Sequence, residues 1–557
     1  MFDSELKTIF LKLRQGSSQA VQNGQSFNDL EKYLHVERHV EGYLVKLMNE
    51  IDEIGYGLIL LIGSAGDGKS HLMSSIKQDY PALADKFRFY NDATESYSPN
   101  CSSIETLKKV LSRFEDDSID TSSEKLILAI NLGKLNAFID DEYNKAHYTK
   151  LIELVSCLFD DDLLTTGNSS QSGPIRFIDF SCQQMFEMEF DSEKEYPITS
   201  KFLRKLLEKI TKPASDNPFF WAYKNSVVDG VHDPIVVNYR ILQKRSTQNT
   251  IIKLIIESIV RFKLIVTPRD FLDFISCIVV YNGIEEYRPR VDYFKALLPS
   301  LLFENSGNGI LEAISKLDPL KFSSTEHNQD LATLFTSSEP PADYLTDDLK
   351  ELGLYDKIKS YYENNGKDSS NLTKFLFRLK HLKSYHSESE IYKSFIQYLV
   401  GYYKSDFQNS ILPLYELVNT AIPRHYGAYD STTDLVPLNI QGSRFRLYAS
   451  VVKEEDFQCP EYNSENPNSF NLYMILNWIS AGVKLTLKLD YQQFEYLSSL
   501  NQGRLSLNFE GDRSHDFSRF IHELVKCSSA NKKVTIKSDE EIVKTLSKIM
   551  GSHIKLN

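Results

Sequence analysis

The sequence predicts an α/β P-loop NTPase core, with a parallel sheet of AAA+-like type, followed by a helical lid, a helical middle region and a C-terminal mixed α/β domain. Three observations lead there. Short unbroken apolar runs occur at Leu58–Ile62 and Leu126–Ile130, Ile175-Arg-Phe-Ile178 is a further strand candidate, and helical apolar patterns separate them. A glycine-rich turn, Gly63-Ser-Ala-Gly-Asp-Gly-Lys-Ser70, joins the first run to an apolar-striped helix.

Composition bounds the class. At 557 residues the chain exceeds one compact core, and about three or four domains are expected. Hydrophobic content of 41% and charged content of 25% fall in the soluble globular range. A net charge of −13 and a pI near 5.5 argue against a dedicated DNA-coating protein, while leaving room for a local basic face. The six cysteines, Cys101, Cys157, Cys182, Cys277, Cys459 and Cys527, lack the paired spacing of a zinc or redox site and read as reduced thiols of a cytosolic protein. The first residues carry no secretory signal, and no apolar run reaches the roughly 18 residues of a membrane span, so a cytoplasmic placement is expected.

The elements follow in order. Residues 1–52 form an N-terminal helical segment: its first 28 residues are polar and weakly patterned, then Val40, Tyr43, Leu44, Leu47, Met48 and Ile51 recur as the stripe of a helix. Residues 53–200 form the core. Leu58–Ile62, between Gly57 and Gly63, reads as a strand buried on both faces. Leu72, Met73 and Ile76 then mark a helix that Pro81 limits, and Phe87–Tyr90, Leu126–Ile130 and Ile175–Ile178 read as further strands, with helical patterns near 103–114 and 140–158. The polar run Thr165–Gly173 reads as a surface loop. In the lid, 201–335, Ile252, Ile255, Ile256, Ile259 and Phe262 make one stripe, and Thr267-Pro268 starts another helix. After the break Ser337–Pro341 comes a helical region, 342–422. The mixed domain, 423–557, has strand-like runs at Phe445–Tyr448, Val483–Leu489 and Leu505–Phe509.

The glycine loop carries the chemistry. Gly63, Gly66 and Gly68 let the backbone curl around an anion, and Ser64, Ala65, Asp67 and His71 complete the set expected to surround it. Lys69 would reach the β and γ phosphates of ATP, and Ser70 would hold Mg²⁺. Asp67 is an oddity: an acid in such a loop is tolerable only with its side chain turned away. For the second acid, Asp92 at the end of the Phe87–Tyr90 strand is expected to orient metal and water, with Glu95 as base; Asp179 is the rival. Asn131 ends the Leu126–Ile130 strand, where it resembles the sensor at a central strand tip of AAA+ ATPases, or serves as a turn residue or helix cap. Arg269, in the first turn of a lid helix, resembles their second sensor; the alternative is an ordinary surface arginine.

Ile62–Leu72, Tyr90–Ser96 and Leu126–Leu135 together resemble the bacterial phosphorothioation-dependent restriction proteins of the DptF family. The resemblance is most specific over about 55–140 and much vaguer beyond about 290, and the overall length also fits that family. It implies an ATPase subunit that acts with DptG and DptH against DNA lacking phosphorothioate marks, with DNA reached through the assembled complex; homo-oligomerisation stays open. No pattern of paired acids with a lysine marks a nuclease, and His515-Asp516 reads as a polar loop. The basic stretch Lys374–Lys383 is weighed as a nucleic-acid contact, but Phe375, Leu376, Leu379 and Leu382 at helical spacing favour a core helix with a basic face. Competing readings are a signalling NTPase switch, a small-molecule kinase, and a scaffold that holds ATP with little turnover.

Overall fold

The computed structural model describes residues 4–19, 29–63, 67–91, 103–156, 173–180, 183–190, 197–227, 233–281, 293–304, 307–337, 339, 344, 347–365, 370–383, 385, 387, 389–426, 435–437, 446–451, 453–460, 462, 467–504, 511–528, 533–537, 542–548 and 554–556. The chain forms two compact units, one of Met1–Leu154, Ser170–Glu187 and Thr199–Glu388, the other of Val155–Ser169, Met188–Ile198 and Ser389–Asn557.

The first unit opens with helices α1 (Glu5–Gln19), α2 (Asp29–Leu34) and α3 (His39–Ile54), then strand β1 (Gly57–Ile62) and helix α4 (Lys69–Asp79). Strands β2 (Arg88–Tyr90), β3 (Lys125–Ile130) and β4 (Ile175–Asp179) complete a four-stranded sheet of order β2-β3-β1-β4, all parallel. Every residue of β1 is buried, as a central strand covered on both faces requires. On one face Ile59, Leu61, Ile127, Ala129 and Ile178 pack with Val40, Leu44, Leu47, Met48 and Ile51 of α3 and with Leu72, Met73 and Ile76 of α4. The period of two along each strand and the i, i+3, i+4 spacing on each helix meet there.

Helix α1 corrects the view that the first 28 residues lack a pattern. Leu6, Phe10 and Leu13 are buried at i, i+4 and i+7. Phe10 packs on Phe219 with ring centroids 5.3 Å apart, and its carbonyl accepts a 2.8 Å bond from Ser276 Oγ. Ile9 completes the i, i+3, i+4, i+7 stripe, and the polar second half of the helix, from Arg14 to Gln19, dilutes it; tertiary contacts supply the rest of the helix's stability.

Four helices after the sheet begin with side-chain caps, and proline follows the cap in three. Ser200 caps Lys201–Thr211, Asn217 caps Pro218–Ser226, Asp233 caps Pro234–Gln243 and Thr267 caps Pro268–Val279. Helix Arg245–Phe262 buries the stripe Ile252, Ile255, Ile256 and Ile259. It also buries Glu257, which accepts bonds from Arg261, Ser387 and Tyr385. In helix Ser370–Lys383, Phe375, Leu376, Leu379 and Leu382 are buried. Its cations meet acids of the same unit: Arg378 Nη2 lies 2.5 Å from Asp318, Arg378 Nη1 2.7 Å from Glu304, and Lys380 2.5 Å from Asp330. This stretch is a core helix.

The second unit is antiparallel. Tyr473–Ser480 lies between Glu454–Asp456 and Val483–Asp490 in one sheet; the other runs Leu435–Pro437, Arg446–Ser450, Lys533–Lys537, Ile542–Lys548, Ile554–Leu556. The hairpin turn uses Ala481 and Gly482, both at positive φ, which suits the twist of a two-residue connection. Helices Glu390–Tyr403, Leu412–His425, Tyr491–Asn501 and Gly511–Ser528 complete the unit. His515 and Asp516 lie on the exposed side of the last of these, so the expected polar loop is a helix face. The expected strand Leu505–Phe509 and most of the loop Thr165–Gly173 lie outside the described residues.

Candidate functional site

Strand β1 is followed in sequence by β2, yet its neighbours in the sheet are β3 and β4. The strand order switches at β1, and in open parallel sheets the crevice at the carboxyl ends of such strands is where ligands bind. Register fixes what gathers there. Ile62 is level with Ile130 of β3 and with Asp179 of β4, so Gly63, Asn131 and Asp179 lie along one sheet edge.

The glycine loop leaves that edge. Gly63 has no room for a side chain: a Cβ would come within 2.7 Å of Phe180 Cβ and 2.5 Å of Asp67 Oδ2. Gly68 adopts φ +87° and caps α4, a conformation in which L side chains are strained. Lys69 is the first helical residue, so the helix N-terminus, with its unsatisfied N–H groups, opens at the loop. Ser64, Ala65 and Gly66 lie outside the described residues.

Asp67 is not turned away from the loop. Its carboxylate lies 3.9 Å from Lys69 Nζ, and both side chains are largely covered. Burial lowers the Lys69 pKa from its usual value and Asp67 opposes the shift. Lys69 Nζ also stands 6.0 Å from the centre of the Phe180 ring. Ser70 is exposed, and its Oγ donates to Asn91 Oδ1 at 3.0 Å, which brings the end of β2 to the loop across the intervening strand β3. Asp92, the next residue, and Glu95 lie outside the described residues.

Asn131 caps helix Leu132–Asp140, its Oδ1 accepting from Lys134 N at 2.8 Å. The cap uses the amide oxygen and leaves the side-chain NH₂ as the donor it can offer at the sheet edge. Asp179 is buried at the end of β4. Arg269 sits in the first turn of Pro268–Val279, beside the Thr267 and Asp270 capping box; among the described residues no hydrogen bond or ion pair joins it to the loop. Also among the described residues, no group of three or more His, Cys, Asp or Glu is placed to hold a metal ion. A Mg²⁺ ion keeps most of its waters and needs one or two protein ligands beside phosphate oxygens, a demand that an exposed Ser70 hydroxyl fits.

Sequence reasoning missed the wall behind the loop. The segment between α2 and α3 brings His35 and Arg38 against it. Arg38 Nη1 points at Asp67 O at 3.4 Å, and its backbone N donates to Glu41 Oε1 at 3.2 Å. His35 Nδ1 lies 3.1 Å from His71 Nε2, and its Nε2 lies 3.5 Å from Glu41 Oε2. Ser75 of α4 donates to the same Glu41 carboxylate at 3.0 Å. The bond to Glu41 raises the His35 pKa, whereas burial, with Arg38 and His35 nearby, brings His71 down to about 4. The two rings are therefore pushed apart: His35 holds its proton more firmly than a free imidazole, and His71 less firmly. Arg38 and Glu41 are spaced as a helix start in the sequence, and that spacing was the available signal.

The segment is tied to helix Lys201–Thr211. Tyr33 OH donates to Lys209 O at 2.7 Å, and Lys209 Nζ donates back to Tyr33 O at 2.6 Å. Among the described residues no helix is long and apolar enough to cross a membrane. Comparison with family models, curated proteins and solved structures finds no match to this chain.

Proposed function

We propose that this chain binds ATP with Mg²⁺ at Gly63–Ser70 and hydrolyses it, and that it does so as the ATPase subunit of a phosphorothioation-dependent DNA restriction complex of the cytoplasm, with DptG and DptH as partners. The observation that carries the nucleotide reading is the junction of β1, the glycine loop and α4, with Ser70 facing the end of β2. The loop's N–H groups and the α4 N-terminus would receive the phosphates, and Lys69 would add a point charge. Mg²⁺, when bound, supplies charge neutralisation on the phosphate oxygens, and Ser70 would be its protein ligand.

In this reading Asp92, one residue beyond Asn91, orients the attacking water with Glu95 as base. The Asn131 NH₂ donates at the tip of the strand beside β1, as a sensor of AAA+ type would, and Arg269 reports from the lid. The restriction role rests on the resemblance of Ile62–Leu72, Tyr90–Ser96 and Leu126–Leu135 to the DptF family; DNA cleavage is assigned to a partner.

Calorimetric titration with ATP and Mg²⁺ tests the site. Lys69→Ala should weaken binding by about ten- to a hundredfold, the worth of one charge-assisted contact, without lowering the melting temperature. Equal affinities would overturn the nucleotide reading. DNA-stimulated phosphate release in the presence of both partners tests the restriction role, and its absence would refute it.

A further inference from the structure

We propose that Arg38 is a positioning residue of the glycine loop: its guanidinium braces the Asp67–Gly68 turn from behind and restores the positive charge that Asp67 removes, and so sets the loop's affinity for a nucleoside triphosphate. The assignment rests on the nucleotide reading above and extends it to a residue ahead of the sheet.

Geometry comes first. Nη1 points at the Asp67 carbonyl, and a Cβ built on Gly68 would meet Nη2 at 3.1 Å. The guanidinium thus lies flat against the turn whose left-handed residue opens α4. Holding the Asp67 carbonyl on the outer side leaves the N–H groups of the turn to face inward, where an anion would sit.

Charge comes second. Lys69 and Asp67, 3.9 Å apart, cancel, so the loop's side chains alone offer a phosphate no net attraction. Arg38 adds a cation behind the turn, where the Glu41 and Asp67 carboxylates both act on it. Its pairing is incomplete: among the described residues Nη2 is buried without a hydrogen-bond partner, and the Glu41 carboxylate that attracts it is also engaged by the Arg38 backbone, Ser75 and His35. A guanidinium cannot shed its proton, and a buried, incompletely paired cation is costly. The cost is understandable if the counter-charge is an anion held by the loop.

The test is titration of the full-length chain with ATP and Mg²⁺, with melting of the nucleotide-free protein alongside. Arg38→Met should lose about ten- to a hundredfold in affinity, as for a charge-assisted contact, and Arg38→Lys should recover part of it. Asp67→Asn should bind more tightly than the unsubstituted chain, and Arg38→Met with Asp67→Asn should regain most of the loss. A purely structural brace would give no such recovery. Unchanged affinity in Arg38→Met, or a double variant no tighter than Arg38→Met, would overturn the assignment. If Arg38→Met does not fold, Asp67→Asn decides alone: tighter binding supports the assignment, equal or weaker binding overturns it. An unsubstituted chain that binds no nucleotide overturns the site reading and this assignment with it. Nucleotide binding that is lost in Lys69→Ala but untouched in Arg38→Met overturns this assignment only.

Discussion

Acid should loosen the second unit through one buried histidine. His425 is 9% exposed, with Nδ1 2.7 Å from Tyr496 OH and Nε2 2.8 Å from Ser518 Oγ, and the rings of Tyr426 and Phe517 beside it. Burial brings its pKa down from 6.5 to about 4, so the folded unit holds it neutral where an unfolded chain would protonate it. A depressed pKa contributes stability that is whole above the unfolded value and is lost as pH falls from 6.5 toward 4. One pKa unit is worth about 1.4 kcal/mol, so the loss should reach about 2 kcal/mol near pH ~5 and about 3 kcal/mol below the folded pKa. In urea that moves the midpoint by roughly 1 M. The chain has two tryptophans, exposed Trp221 in the first unit and fully buried Trp478 in the second. With Trp221→Phe as background, fluorescence follows the second unit alone. His425→Gln should flatten the dependence between about pH 7 and pH 5 by about 2 kcal/mol. Equal slopes with and without the substitution would refute the reasoning.

Three further outcomes are expected. Asp318→Ala should destabilise the first unit by about 3–5 kcal/mol in thermal or urea melts, because it strips a carboxylate from the buried Arg378 guanidinium. Asp92→Asn should bind ATP and lose turnover in a phosphate-release assay; full turnover there with loss in Asp179→Asn would move the second acid to β4. Arg269→Ala should weaken discrimination between ATP and ADP more than binding itself. Hydrogen exchange over residues 251–280 of the unsubstituted chain should then differ between the two nucleotides, and identical protection would return Arg269 to an ordinary surface role.

The sheet was legible because a buried parallel strand leaves an unmistakable local trace. Leu58–Ile62 and Leu126–Ile130 are unbroken apolar runs, and both fall within one residue of the strands β1 and β3. Strand order was not legible, since pairing is set by contacts between distant segments; nothing in the sequence places β3 between β1 and β2. Helix α1 was lost for a different reason. Its stripe, Leu6, Ile9, Phe10 and Leu13, spans only two turns before the polar run Arg14–Gln19, and its partners Phe219 and Tyr239 lie over two hundred residues away in sequence. In the second unit, Lys533–Lys537 alternates strictly but over only five residues, Ile542–Lys548 alternates weakly, and their pairing carries the assignment. At the candidate site, the motif announced Gly63–Ser70 and the helix that follows. It could not announce Arg38, because the 29 residues separating it from Asp67 are closed only by the fold.

The reciprocal bonds between Tyr33 and Lys209 carry a practical consequence. The residues that wall the loop precede the first strand, and they are fastened to the helix that follows the last one. A shortened chain beginning near residue 53, the natural cut if the sheet is taken as self-sufficient, would discard Tyr33, His35, Arg38 and the whole of α3. It would leave Lys209 without its acceptor, His71 without its neighbour, and the apolar faces of β1 and α4 bare to water. Such a fragment should aggregate, and its failure to bind nucleotide would say nothing about the loop it retains.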